Sequence, residues 1–134
     1  MKPSEVTDTF WIEATRKQGS YPAPSENSGK WLIFVSHEHV DEVWEKVRVA
    51  TEQGSLGDSA KVSTAHRNRN AANPNTNVIC VYTYDWTDAQ DVRRIREALR
   101  QLGILSKIPY KANRDTASGL YANRGNRNIA KYFE

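Results

Sequence analysis

Seven basic residues stand where composition predicts loops or strand ends: Lys61, Arg67, Arg69, Lys111, Arg114, Arg124 and Arg127. Arginine presents a planar fork that grips phosphate through two nitrogens, and lysine presents a compact point charge. Ser63, Thr64, Thr116 and Ser118 accompany them in sequence, and their hydroxyls can donate to phosphate oxygens. The chemistry this set suggests is phosphate binding, with Lys61, Ser63, Arg67, Arg69, Lys111, Arg114 and Arg124 as the contacts. Lys61 weighs most, because it falls in a predicted strand, where an unpaired lysine is disfavoured. The bland alternative is a group of separate solvated loops. Trp86, just after a predicted strand, is the candidate for stacking on a ligand ring, whereas Trp31 and Trp44 lie on apolar faces and read as core.

Other chemistries find little support. His37 and His39 are two apart at a predicted helix start, with no third ligand beside them, and His66 stands alone. One cysteine excludes a thiolate zinc site, so no metal is expected. Cys80 falls inside a strand and not at a helix N-terminus, where its pKa would drop. A Gly-x-Ser-x-Gly elbow, a Walker loop and a dinucleotide fingerprint are all absent, and no cofactor is implied.

The elements that must position the basic set are legible from periodicity. Val78 to Thr83 is β-branched or aromatic apart from Cys80 and carries no charge, which predicts a core strand. Lys61 to Ala65 predicts the strand before it, and the basic, Asn-rich loop from His66 to Asn77 joins the two. Lys30 to Val35, apolar for five residues, predicts a central strand. Ser36 is the expected cap of the next helix, whose Val40, Val43, Trp44 and Val47 form one stripe, and Gln53 to Gly57 ends it. Thr87 to Gln90 has capping-box spacing. In the helix that follows, Val92, Ile95, Leu99 and Leu102 turn inward, and Gly103 is the expected C-terminal cap. Arg93, Arg96 and Arg100 are expected to share its solvated face. Thr9 to Ile12 and the Pro-containing Ile108 to Lys111 are expected edge strands, and Ile129 to Phe133 is either a last strand or a C-terminal segment that docks. This order predicts an α+β domain, a mostly antiparallel sheet with helices packed on one face. Residues 1–28 read as an N-terminal extension with a candidate edge strand, and residues 29–134 as a single domain.

The charge is unevenly spread. Residues 1–60 hold 6 Lys/Arg against 10 Asp/Glu, and residues 61–134 hold 13 against 6, so the halves stand at −4 and +7. A basic half favours phosphate-bearing partners: a phosphorylated small molecule, RNA or a phosphopeptide. No apolar run reaches the ~18 residues of a membrane span, and the polar Met1 to Phe10 lacks a signal-peptide core. A cytoplasmic protein without a membrane partner is the expectation.

Two resemblances follow. Gly29-Lys30-Trp31-Leu32, Leu56-Gly57-x-x-Ala60-Lys61-Val62-Ser63, Val78-Ile79-Cys80-Val81-Tyr82-Thr83 and Tyr110-Lys111-x-x-x-x-Thr116 together resemble the family of the basophilic leukaemia expressed protein. That family is described as having the fold of the cap-binding translation initiation factor 4E, which implies a 4E-like α+β domain here. Cap recognition sandwiches a guanine between two loop tryptophans. Here the Lys30 strand runs almost directly into a helix, and the segment between that helix and the Val78 strand contains no Trp. The resemblance therefore implies a phosphate-contacting end without a cap-stacking end. Secondly, Lys61-Val62-Ser63 is similar to the Lys-Val-Thr of phosphothreonine lyases, Lys30-Trp31-Leu32 sits where they show Lys-Phe-His, and Arg114 matches a phosphate-holding Arg. This implies a β-elimination with Lys61 as catalytic base, although the position of the acid is Leu32; His66 or Tyr82 are the alternatives for that role. The expected functions are thus phosphate-ligand binding, a lyase-like activity, and a protein-interaction domain using the arginine face of the second helix.

Overall fold

The computed structural model describes residues 1–66, 75–114 and 130–134. After a 3-10 turn (Pro3–Glu5), the order is β1 (Trp11–Thr15), β2 (Gly29–Ser36), α1 (Val40–Glu52), β3 (Ser59–Ser63), β4 (Thr76–Thr83), α2 (Ala89–Gln101), β5 (Pro109–Ala112) and β6 (Ala130–Phe133). The six strands form one sheet in the order β1-β3-β4-β2-β5-β6, and each neighbouring pair is antiparallel. The expected α+β class and the expected sequence of elements are both present. Residues 1–28 contribute β1 to the sheet, and its Ala14 enters the core. No helix among the described residues is long and apolar enough to cross a membrane.

The period of two along each strand divides the sheet cleanly. Trp31 and Ile33 of β2, Ile79 and Val81 of β4, and Ala60 and Val62 of β3 face the helices. There they pack with Val40, Trp44, Val47 and Ala50 of α1 and Val92, Ile95 and Leu99 of α2. The Trp31 indole donates to the Val92 carbonyl at 3.0 Å, fixing α2 against β2. Tyr110 lies across Gly29, where an added Cβ would come within 2.4 Å of the phenolic oxygen. That oxygen meets Thr83 Oγ1 at 2.6 Å, so the start of β2, the end of β4 and β5 are locked together.

Several expectations need correction. Ser36 does not cap α1. The N-cap is His39, whose side chain makes no cap bond, and Ser36 Oγ instead meets His39 Nδ1 at 2.8 Å. The cap of α2 is Asp88, one residue past Thr87, with its carboxylate accepting from the Asp91 amide. The third strand is Ser59–Ser63 and not Lys61 to Ala65, because the Thr64 hydroxyl turns to the Thr9 carbonyl and ends the pairing. β5 is not an edge strand, since β6 pairs along its other side. Pro109 is tolerated as its first residue, one place before pairing with β2 begins at Tyr110.

Arg96 does not belong to a solvated face. It is 1% exposed. Its guanidinium donates to the carbonyls of Glu134 at 2.8 Å, Ile104 at 2.9 Å and Ser106 at 2.8 Å. One fork thus ties the turn after α2 and the end of β6 to the helix. Replacing Arg96 by Ala removes three charge-assisted bonds and strands buried acceptors, so a loss on the order of 3 kcal/mol is expected in denaturant unfolding. Arg96→Lys, with a point charge in place of a fork, should recover less than half of it; full recovery would refute the clamp.

Candidate functional site

The same alternation that sends apolar residues to the helices sends lysines to the opposite face of the sheet. Lys30 on β2 stands directly opposite Lys111 on β5 and Tyr82 on β4. Lys61 on β3 stands opposite Cys80, two residues before Tyr82 on the same side of β4. Lys30 and Lys61 therefore flank Tyr82 and Cys80, and Lys111 lies one strand beyond Lys30 on the same face. Like charges directly opposite across strands repel. Among the described residues, neither Lys61 nor Lys111 has a carboxylate within ion-pair distance.

Burial sharpens this arrangement. Lys30 is only 8% exposed and donates to Asn113 Oδ1 at 2.9 Å. Burial pushes its ammonium pKa below the usual 10.5, and the charges of Lys61 and Lys111 push the same way, against an opposing contribution from Cys80. Burial likewise raises the pKa of the Cys80 thiol and, chiefly, that of the Tyr82 phenol. Both are therefore protonated at neutral pH. The Lys61 ammonium sits 4.0 Å over the ring of Trp11, which is 37% exposed. A cation over an aromatic face keeps its charge available to an anion on its other side.

A cleft of about 240 Å³ opens beside Lys61 and Tyr82. The segment carrying Tyr21, Pro22 and Pro24 forms one wall, and Glu13 and Asp58 lie at its rim. The wall is pinned from below. The Tyr21 hydroxyl donates to Asp91 at 2.6 Å and accepts from the Tyr84 amide at 3.1 Å. Gly57 runs so close to β4 that a Cβ there would stand 2.2 Å from the Tyr82 carbonyl, which holds Asp58 at the mouth.

The expected site residues are distributed unevenly. Lys61 and Lys111 share the lysine face. Ser63 lies on that face too, but its hydroxyl oxygen accepts from the Val78 amide at 2.9 Å. Thr64 is buried, with its hydroxyl spent on Thr9 and on the His66 amide. Arg114 is exposed just past β5. Arg67, Arg69, Thr116, Ser118, Arg124 and Arg127 lie outside the described residues. Trp86 is half-buried against the helix-side core, where Tyr132 donates to its carbonyl and Lys131 lies over its ring. The tryptophan beside Lys61 is Trp11. His66 packs against Phe10, with ring centroids 4.2 Å apart and the planes tilted by 51°. Lys30 is absent from the contacts expected on charge alone. Its signal was parity, a lysine in phase with Leu32 and out of phase with Trp31 and Ile33.

A family model described as basophilic leukemia-expressed protein Bles03 matches residues 25–115. The match takes in β2, α1, β3, β4, α2 and β5, and with them Lys30, Lys61, Tyr82 and Lys111. It stops short of β1, which brings Trp11 and Glu13 to the site, and of β6. With more than half of its residues inside that match, and its three lysine-bearing strands among them, the chain belongs to the Bles03 family.

Proposed function

We propose that this protein binds a phosphate-bearing ligand on the sheet face turned away from the helices, with Lys30, Lys61 and Lys111 neutralising it. The observation that carries the reading is the pairing of Lys30 directly opposite Lys111, with Lys61 also near enough to depress the Lys30 pKa. An anion seated among three such cations relieves their mutual repulsion, and the cost of assembling the cluster is already met by the fold. Arg114, and the loop arginines Arg67, Arg69 and Arg124, would add to the same field. Nucleotides, RNA ends and phosphopeptides all carry the required group. We also read the six-stranded antiparallel sheet, with both helices on one face, as 4E-like. In support, Trp31, which belongs to the motifs of that resemblance, is a core residue, as is Trp44 of α1.

The binding reading predicts a thermal shift with a phosphorylated ligand from a panel of nucleotides, 5′-phosphorylated RNA and phosphopeptides, declining as salt rises. Lys61→Met should weaken it about tenfold, the worth of one charge-assisted hydrogen bond. A panel without any shift would overturn the reading.

Lys30 supplies a pH signature. Its pKa is lower in the folded than in the unfolded chain, so the unfolded state holds more protons between the two values. Stability should therefore rise with pH from the depressed pKa up to about 10.5, and Lys30→Met should flatten that rise. Bound phosphate favours the charged amine and should lift the Lys30 titration, followed by NMR of the methylated lysines. A Lys30 signal unmoved by a saturating ligand places the anion elsewhere.

A second reading, a phosphothreonine lyase-like β-elimination, draws support from one feature. Lys30, Leu32 and Lys61, the positions compared with the lyase motifs, share one face, with Tyr82 between the two lysines. In this reaction Lys61 takes the α-proton, the Cβ–O bond breaks as the Cα=Cβ bond forms, and the departing phosphate takes a proton. Leu32 has none to give. Tyr82, held protonated by burial, is the donor in reach of the same face. A phosphothreonine peptide should then release phosphate and leave an unsaturated residue visible by mass spectrometry, and Tyr82→Phe should slow this by about a hundredfold. An intact peptide across the neutral and alkaline range would end this reading.

A further inference from the structure

Among the described residues, the cleft beside Lys61 holds charge of both signs without ion pairs. Glu13 stands directly across from Lys61 in the β1–β3 ladder, yet the two are not within ion-pair distance, and Lys61 turns instead to Trp11. Asp58, at the same rim, has no ion pair through its carboxylate among the described residues. Tyr21, Tyr82 and Tyr84 also line the cleft. The hydroxyls of Tyr21 and Tyr84 are committed to Asp91 and Asp88, and the Arg16 guanidinium lies 5.2 Å over the Tyr21 ring, so ring surface for a ligand comes chiefly from Tyr82 and Tyr84. Carboxylates beside aromatic rings suit an ammonium group, and a lysine suits a phosphate.

Size narrows the class. Pockets for drug-sized ligands run to roughly 300–1,000 Å³, and this cleft measures about 240 Å³. A polyanion entering here would also meet Glu13 and Asp58. We propose that the cleft takes a small zwitterion, a phosphate joined to an ammonium group by a short linker, with the ammonium facing Glu13 and Asp58 and the phosphate facing Lys61. The inference rests on the phosphate reading of the lysine face and adds a cation-holding end to it. Two sources share this chemistry, a free phosphorylated amino alcohol and the headgroup of a zwitterionic phospholipid.

The test is calorimetric titration of the full chain with O-phosphoethanolamine, phosphocholine, inorganic phosphate and ethanolamine, beside co-sedimentation with phosphatidylethanolamine and phosphatidylcholine vesicles. The zwitterions should bind about tenfold more tightly than inorganic phosphate, the worth of one added charge-assisted contact. In the Glu13→Gln, Asp58→Asn double variant that ratio should fall to about one. Both positions are exposed, so the variant should fold, which circular dichroism checks. Lys61→Met should weaken every phosphate-bearing probe. Binding of the soluble compounds without sedimentation assigns the free amine ester, and sedimentation without soluble binding assigns the headgroup. Equal affinity for zwitterion and inorganic phosphate, or a preference that survives the double variant, overturns the inference while leaving Lys61-dependent phosphate binding intact. Binding of nucleotides or RNA without zwitterion binding likewise overturns it alone. Silence from every phosphate-bearing probe overturns both readings.

Discussion

Eight consecutive residue pairs, from Gly29 opposite Thr83 to Ser36 opposite Thr76, join β2 to β4 at the middle of the sheet. Side chains alternate along a strand, so this one register decides which residues meet the helices and which form the lysine face. In it Trp31 and Ile33 stand with Ile79 and Val81 on the helix side, and Lys30 and Leu32 stand with Tyr82 and Cys80 on the other. A slip of one residue would carry Lys30 into the apolar core and Trp31 out of it. Burying an unpaired ammonium there costs far more than any realignment returns. The register is fixed further at its Gly29 end, where the Tyr110 ring occupies the space a side chain would need and bonds Thr83. The site thus inherits its geometry from the core.

This division explains what the sequence revealed and what it withheld. Strand and helix order followed from local period, and the apolar stripes Val40-Trp44-Val47 and Val92-Ile95-Leu99 are buried as their spacing predicts. Cap positions were off by one to three residues: Ser36 bonds the His39 ring instead of capping, and Thr87 donates to Asp85 while its neighbour Asp88 takes the cap. Pro109 read as an edge signal; the last strand was expected from Ile129 to Phe133, but nothing local announces that it pairs with β5. Arg96 shares its helical spacing with Arg93 and Arg100. Only the fold reveals that the carbonyls of Ile104, Ser106 and Glu134 converge on it.

The candidate site was legible by half. Lys61 and Lys111 were identified from charge in a strand, and the structure brings both to one face. Lys30 and Trp11 emerged only with pairing, since sequence distance hides that β1 borders β3 and that β2 borders β5. The stacking role assigned to Trp86 arose from its place after a strand. Its ring faces Lys131 and its backbone carbonyl holds Tyr132, which ties it to the helix side.

The charge split between the two halves of the chain takes on a local meaning in this fold. The acidic half supplies Glu13 and Asp58, and the basic half supplies Lys61 and Lys111. Because β1 pairs with β3, and Asp58 sits where β3 begins, acids and Lys61 come together around one cleft. Lys30 departs from the pattern, a cation from the acidic half placed opposite Lys111. The field is therefore positive toward β2 and β5 and mixed toward β1. A long polyanion would gain from the first region and lose at the second. That asymmetry across five neighbouring strands, with both signs of charge meeting around the one cleft on the β1 side, bears on ligand class more directly than the net charge of +3.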